Sequence, residues 1–348
     1  MQAKHQGPQP SDTAMRSISG EQPAASLPDT LRVAYQALAQ PRAAANAPVL
    51  AAVCFGGKTT STFGDAALII DVGLEPLQGP PTAELWFASG PVRTGQWSDA
   101  HGVRIRYAHD EQHLFAVLEL DEREHGGILL TAERAYAAIQ AFQAQSAFRH
   151  LLRMWNYMDA INQGVGDTER YRQFCVGRSR GLGATTQGYP SASALGRHVP
   201  DHLLQVFWLA GKVPGKAIEN PRQVSAYHYP RVHGPVSPTF ARALVAPDET
   251  ILISGTASIV GHVSQHHDDT MEQLEETVRN LAALMSHAGR SHSPSSQDVF
   301  KIYVRDPAWT PKIAERLRQL YPAGDFLFVA ADVCRSELLV EIEAVLAT

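Results

Sequence analysis

The stretch ILISGTASIVGH, residues 251–262, is the segment from which the fold can be argued most directly. Its isoleucine, leucine, valine and threonine residues are typical of a buried strand. The segment 268–289 follows, with apolar residues three and four apart that predict one face of a helix, and Gly289 is its natural stop. The later segments predict strand, helix, strand and strand: 298–306, 309–321, 326–333 and 338–346. This half of the chain therefore predicts an α+β fold.

The first half of the chain has a similar order of predicted strands and helices. Strands are predicted at five segments: 49–57, 66–72, 83–89, 103–110 and 113–122. An alanine-rich helix follows, with Thr131 as its predicted N-cap. A strand pair followed by a helix thus occurs twice, which favours two related α+β domains split near residues 145–200. Chance self-similarity is the alternative.

Composition limits the classes of function. The 348 residues are 44% hydrophobic and 19% charged, as in a soluble globular protein, and the formal charge of −5 gives no general attraction for nucleic acid or an anionic membrane. No apolar run approaches the roughly 18 residues of a membrane helix. The three cysteines are far apart, which argues against a disulfide framework and predicts a cytoplasmic location. Residues 1–30 read as a disordered leader.

The terminal stretch VCRSELLVEIEA, residues 333–344, carries two carboxylates in an apolar strand. Alternation places Leu339, Glu341 and Glu343 on one face and Val340 and Ile342 on the other. A solvated edge strand explains this pattern. The functional interpretation needs one glutamate inside a cleft as a proton donor.

Two clusters of arginine and tyrosine are candidate binding segments. The first, residues 153–183, holds Arg153, Tyr157, Arg170 and Arg178. The second, residues 219–243, holds Tyr227 and Arg242 in a proline-rich loop. Guanidinium groups among aromatic rings suit a small dicarboxylate. A basic surface helix and an ordinary connector are the structural alternatives.

Other chemistry is less well supported. His262, His266 and His267 precede Asp268 and Asp269, but the spacing is not that of a zinc helix, and either aspartate is more simply an N-cap. No metal site is predicted. The glycine-rich segment 181–188 lacks the features of a phosphate-binding loop, so no nucleotide cofactor is predicted either. Cys334 is a candidate nucleophile or an inert core residue.

The order of several segments resembles a known family. ILISGTASIVGH, a helix with TVRNLAAL and the strand LLVEIEA look like the RidA/YjgF (chorismate mutase-like) fold, with mixed sheets and helices packed on one face. The longer series resembles the chorismatases, which carry two such domains. It consists of WNYMDAIN, ERYRQFCVGR, ENPRQVSAYHYPR, SPTFARA and CRSELLVEIE.

The resemblance implies a domain organisation. Residues 31–150 would form a degenerate N-terminal RidA-like domain, and residues 151–200 a connecting helix and substrate-binding loop. Residues 201–348 would form the C-terminal catalytic domain. We expect a monomer, because two fused domains could build the cleft within one chain.

The resemblance also implies cleavage of chorismate with release of pyruvate, without a cofactor. Glu341 would face the cleft and protonate the methylene carbon of the enolpyruvyl group, whereas Glu343 would lie near the strand end. Cys334 would orient or deprotonate the ring intermediate. The implied substrate-binding residues are Arg153, Tyr157, Arg170, Arg178, Tyr227, Arg242 and Ala243.

Two signals in the sequence disagree about the product. In the chorismatases that this chain resembles, a cysteine at the place of Cys334 accompanies the branch of the family that forms 3-hydroxybenzoate. Alanine in the neighbourhood of Arg242 accompanies the branch that forms a dihydroxycyclohexadiene carboxylate. The mixture resembles a bifunctional branch that forms 3- and 4-hydroxybenzoate for pigment and quinone pathways. The alternatives are the diol-forming hydrolase, a RidA-like imine deaminase and a non-catalytic binder of aromatic metabolites.

Overall fold

The computed structural model describes residues 30–38, 47–64, 67–183, 188–290 and 294–348. Their strands form three main sheets of five, seven and six strands, together with one small hairpin. The α+β class is confirmed. The predicted leader falls almost entirely outside the described residues. None of the helices in the described ranges is long and apolar enough to cross a membrane.

The five-stranded sheet has the order β1-β5-β2-β4-β3. Its strands are β1 (Val33–Ala37), β2 (Val49–Cys54), β3 (Thr60–Phe63), β4 (Leu68–Asp71) and β5 (Thr82–Phe87). The described part of this sheet has no helix of its own.

The seven-stranded sheet has the order β19-β10-β9-β11-β8-β7-β6. Its elements are β6 (Arg93–Ser98), β7 (Arg104–His109), β8 (His113–Asp121), α1 (Glu122–His125), α2 (Ile128–Gln145), β9 (His150–Asp159), α3 (Arg170–Leu182), β10 (Ser191–Arg197), β11 (Leu203–Gly211) and the late strand β19 (Asp332–Val333).

The six-stranded sheet has the order β12-β13-β14-β20-β17-β18. Its elements are β12 (Lys216–Ile218), β13 (Ala243–Val245), β14 (Ile251–Ala257), α4 (Thr270–His287), β17 (Val299–Val304), α5 (Thr310–Leu320), β18 (Asp325–Ala330) and β20 (Val340–Leu346). The strands β15 (Ile259–Val260) and β16 (Val263–Ser264) pair as the hairpin.

One topology recurs in all three sheets. In the order β8-β11-β9-β10 the first two pairs are antiparallel and the last is parallel. The order β14-β20-β17-β18 has the same directions, and so does β1-β5-β2-β4. The predicted duplication therefore has a topological basis, and the repeat also includes the five-stranded sheet.

The inner faces of the three sheets share one apolar core. Trp155 of β9 stacks on Phe207 of β11 with ring centroids 4.9 Å apart, and Phe55 next to β2 and Val329 of β18 belong to the same cluster. Helices cover the outer faces of two sheets. Helices α2 and α3 pack on the seven-stranded sheet, and α4 and α5 on the six-stranded sheet. The predicted packing of helices on one face is confirmed for these two sheets.

Residues 150–159 correct one sequence-based expectation. Residues 151–200 were predicted as a connecting helix and loop, but helix α2 ends at Gln145 and β9 then runs between β10 and β11. Its apolar run is buried on both faces, as expected of a central strand, and a short run of this kind is ambiguous between helix and strand. Strands from both sides of residues 150 and 200 share one sheet, so a domain boundary at either position would cut through it. The domain division stays a prediction.

The ends of two helices test the predicted caps. The Asp269 side chain accepts hydrogen bonds from the backbone N–H groups of Met271 and Glu272, so its role as N-cap of α4 is confirmed. Thr131 is not an N-cap, because α2 already begins at Ile128. The Thr131 hydroxyl instead donates to the Gly127 carbonyl oxygen one turn earlier.

Candidate active site

A cavity of about 180 Å³ lies between the seven- and six-stranded sheets. Strand β10 supplies one wall, and β14 and β20 supply the other. Helix α3 and the segments 229–242 and 334–338 complete the enclosure. The site therefore combines residues from both halves of the chain.

Glu341 lies on the wall of this cavity and is only 4% exposed. Strand β20 is central in its sheet, paired with β14 on one side and β17 on the other. Val340 and Ile342 pack with the helices, so alternation turns Glu341 and Glu343 to the opposite face. The predicted division of faces is confirmed, and the alternative of a solvated edge strand is wrong.

The Glu341 carboxyl holds its proton at neutral pH. Burial and the negative charge of Glu343 raise its pKa to about 8, against the opposing charges of Arg153 and Arg242. A carboxylic acid that stays protonated near pH 7 can act as a general acid.

Glu343 is in the opposite state. Burial alone would raise its pKa, but the charges of Lys301 and Arg153 and hydrogen bonds from Ser193 and Lys301 lower it to about 2. The sequence interpretation placed Glu343 near the strand end. It lies instead in mid-strand and is 5% exposed, because these partners compensate the loss of hydration.

Arginine side chains form the cationic part of the cavity. Arg178 and Arg242 are each 4% exposed. Arg178 donates to the Thr239 carbonyl oxygen at 2.9 Å, and Arg242 donates to the Tyr229 hydroxyl at 2.6 Å. Within the described residues, the Nε atom of each arginine has no hydrogen-bond partner. These two predicted binding residues therefore combine fixed positions with unused donor groups.

Arg172 and Arg335 also line the cavity and are partly exposed. Arg172 donates to the Glu169 carboxylate at 2.9 Å. Arg335 donates to the His262 carbonyl oxygen and to the Ser264 hydroxyl, each at 3.0 Å. Neither was among the predicted site residues. Arg172 lies in the first arginine cluster and Arg335 directly follows Cys334, but no local pattern separates them from surface arginines.

Cys334 borders the cavity and is partly exposed there. Burial of the sulfur and the nearby Glu341 raise the pKa of the thiol to about 12. A thiol in this state can donate a hydrogen bond, but it is a poor nucleophile and a poor base at neutral pH. The protonated state favours an orienting role over deprotonation.

Two of the predicted binding residues are fully buried away from the cavity wall. Arg153 is 1% exposed and donates to the Glu343 carboxylate at 2.6 Å. The hydroxyls of Tyr157 and Tyr303 are 2.8 Å apart in a hydrogen bond between the two sheets. Arg153 is therefore paired with Glu343 and does not line the cavity, and Tyr157 belongs to the shared core.

Three more predicted binding residues also lie off the cavity wall. Arg170 forms ion pairs with Glu122 and Asp159 at 2.8 and 2.9 Å. The ring of Tyr227 packs against that of Tyr189, with centroids 5.2 Å apart. Ala243 lies in β13, and its side chain belongs to the core beneath α4 and α5. The sequence identified segments that contribute residues to the cavity, but it did not show which side chains of those segments point into the cavity.

The described part of the chain contains no group of three histidine, cysteine, aspartate or glutamate side chains that could hold a metal ion. His233, on the cavity wall, shares a hydrogen bond of 3.0 Å with His262. Burial, followed by the charge of Arg335, lowers the pKa of His233 to about 4, so its ring is neutral at pH 7.

Comparison with known proteins identifies the family. A family model described as "Chorismatase FkbO/Hyg5-like, N-terminal" matches residues 84–210. A 3-hydroxybenzoate synthase from Streptomyces hygroscopicus is 30% identical over 298 residues, which cover 79% of this chain and 84% of the relative. The chain belongs to the chorismatase family.

Other chorismatases extend this relationship. A chorismatase from Streptomyces rapamycinicus is 31% identical over 287 residues, covering 76% of this chain and 82% of the relative. A chorismatase crystal structure superposes with a TM-score of 0.80 and 28% identity, covering 91% of this chain and 98% of that one. The resemblance of the sequence to the chorismatases is confirmed, and the chorismatase fold accounts for most of the chain.

Proposed function

We propose that this protein cleaves chorismate, releases pyruvate and forms 3-hydroxybenzoate, with 4-hydroxybenzoate as a further product. The observation that carries the proposal is the buried Glu341 carboxyl, whose pKa is raised, in the wall of an arginine-lined cavity of a chorismatase-family chain.

The cavity suits the groups that chorismate presents. Chorismate carries a ring carboxylate, an enolpyruvyl carboxylate and a ring hydroxyl. Arg178 and Arg242 offer buried hydrogen-bond donors for one carboxylate. Arg172 and Arg335, which are partly exposed, offer positive charges for the other carboxylate. Phe240 supplies apolar surface for the ring.

The first chemical step is a proton transfer to carbon. The O–H bond of Glu341 breaks, and the π electrons of the enol ether form a new C–H bond at the terminal methylene. The ether carbon becomes an oxocarbenium ion, which the newly ionised Glu341 stabilises electrostatically. No redox change occurs, so the step needs no electron carrier.

The next step decides the product. The neighbouring ring hydroxyl adds to the cation, its proton passes to the Glu341 carboxylate, and a cyclic ketal forms. Loss of a ring proton and cleavage of one ring C–O bond then make the ring aromatic and leave a hemiketal, which collapses to pyruvate and a hydroxybenzoate. The ring proton that is lost balances the proton taken up by the phenol oxygen, so there is no net consumption of water. Addition of water gives pyruvate and the diol instead. The protonated Cys334 thiol borders the cavity where it can orient the ring oxygens.

We further propose that the protein acts as a monomer in the cytoplasm. The first part rests on the fused arrangement, in which β10 forms one wall of the cavity and β14 and β20 of the same chain form the other. The second part rests on the cysteine usage of the sequence.

The direct test is to add chorismate to the purified protein without any cofactor. We expect stoichiometric pyruvate, measured with lactate dehydrogenase, and hydroxybenzoates on chromatography. The diol as sole product would support the hydrolase alternative. No pyruvate, together with hydrolysis of an imine or with chorismate binding alone, would support the deaminase or the binding protein.

A further inference from the structure

We propose that Glu343 is a positioning residue for this reaction, held as an anion by a buried chain of alternating charges so that it keeps Glu341 protonated and offsets the developing cation. This inference rests on the proposed function. The side chains of this chain of charges affect the reaction without lining the cavity, and one of them, Glu84, comes from the five-stranded sheet.

The chain of charges is continuous. Lys301 Nζ lies 2.7 Å from Glu84 Oε2 and 2.9 Å from Glu343 Oε1. Arg153 Nη2 lies 2.6 Å from Glu343 Oε2, and the indole N–H of Trp155 donates to Glu343 Oε1 at 2.8 Å. Glu343 thus accepts charge-assisted hydrogen bonds on both oxygens, which favours its ionised form.

The network joins all three sheets. Glu84 comes from β5, Arg153 from β9, and Lys301 and Glu343 from the adjacent strands β17 and β20. All four side chains are no more than 6% exposed, and their charges sum to zero. Buried charges persist only when they are paired, so each member depends on its neighbours. Burial alone would lower the pKa of Lys301, but Glu343 and Glu84 raise it overall.

Ser193 links this network to the cavity wall. Its hydroxyl donates to Glu343 Oε2 at 2.6 Å and accepts from Arg153 at 2.7 Å and from the Gly255 N–H at 3.0 Å. The backbone of Gly255 lies directly against the Glu341 carboxyl. The anion and the acid are therefore fixed relative to one another through one serine.

Charged and titratable groups face Glu341 from each neighbouring element. The negative charge of Glu343 disfavours loss of the Glu341 proton. The positive charges of Arg153 in β9 and of Arg242, just before β13, favour its loss. The Cys334 thiol is neutral, and Tyr303 of β17, the strand partner of Glu341, has a pKa raised by burial and by Glu343, so it is neutral too. Removal of the Glu343 charge would leave Arg153 and Arg242 unopposed near Glu341, while Lys301 would stay paired with Glu84.

The test is Glu343→Gln, which keeps the shape of the side chain and removes its charge. The pKa of Glu341 would be followed by carbon NMR of glutamate-labelled protein, with the signal assigned by its loss in Glu341→Gln. We expect the Glu341 titration, and the alkaline limb of kcat/KM, to move at least one unit to lower pH. A purely structural role predicts a lower rate at every pH with an unmoved titration.

A second variant covers the case in which Glu343→Gln does not fold. Glu84→Gln keeps an acceptor for Lys301 and for the indole N–H of Trp86, which donates to Glu84 at 2.8 Å. It should shift the Glu341 titration in the same direction but by less. An unmoved titration in every variant that folds would overturn the inference. Because the titration is measured on the unliganded protein, it is independent of whether chorismate is the substrate, which wild-type pyruvate release decides.

Discussion

Gly255 and Glu341 lie so close together that a Cβ atom at residue 255 would be 1.9 Å from Oε1 of Glu341. The same Cβ atom would be 3.1 Å from the Ser193 hydroxyl. The carboxyl therefore occupies space that any side chain at residue 255 would fill. Glycine at this strand position is explained by the acid beside it.

Gly255→Ala should displace the Glu341 carboxyl and lower kcat by at least roughly tenfold, because a misplaced catalytic group loses its alignment with the reacting atom. The thermal unfolding temperature should change little if the flexible end of Glu341 moves. The matched control is Gly90→Ala, since a Cβ atom there meets nothing within 4 Å. Equal rates for Gly255→Ala and the control would remove the proposed role of the glycine.

The pH dependence of kcat/KM follows from the state of Glu341. Its pKa is raised to about 8, so the acid is protonated below that pH and is lost as the pH rises through it. We expect a plateau through neutral pH and a decline above about pH 8, measured by initial rates of pyruvate release. A decline near the ordinary glutamate pKa of about 4.3 would show that Glu341 is ionised in the working enzyme.

Cys334 should control the product rather than the rate of pyruvate release. The thiol is protonated, so Cys334→Ala should shift the product from hydroxybenzoate toward the diol while pyruvate release continues. Chromatography of the products measures the ratio. Cys175→Ala is the control, because Cys175 lies within α3, is buried in the core and does not line the cavity. An unchanged ratio in Cys334→Ala would mean that the thiol is only packed.

Arg242→Gln should weaken substrate binding. A hydrogen bond to a charged group contributes about 1.5–3 kcal/mol, which corresponds to roughly ten- to hundredfold in kcat/KM. The exposed Arg93→Gln should leave kcat/KM unchanged. If Arg242→Gln behaves like Arg93→Gln, Arg242 does not bind the substrate.

The sequence predicted most of the strands and the burial pattern of β20, because alternation and helical spacing are local properties. It misassigned β9, whose central place between β10 and β11 depends on partners distant in the chain. It also missed the network around Glu343. Lys301 looked like any strand lysine, and its contact with Glu84 joins residues more than two hundred positions apart.

Only some of the predicted site residues line the cavity, because the direction of a side chain depends on contacts between distant parts of the chain. The resemblance to chorismatases located Glu341, Cys334, Arg178 and Arg242, all of which line the cavity. Arg153 was selected from the same type of cluster, but its position in β9 directs it to Glu343. Composition identifies which segments supply arginines, whereas the direction of each side chain depends on the folded sheet.

The most direct measurement of the central claim is pyruvate release by Glu341→Gln. The amide preserves the shape of the acid, but its N–H protons are far too weakly acidic to protonate the methylene carbon. We predict that this variant binds chorismate in calorimetry with near-normal affinity and releases no pyruvate above the uncatalysed rate. Pyruvate release at a near-normal rate would contradict the assignment of Glu341 as the proton donor.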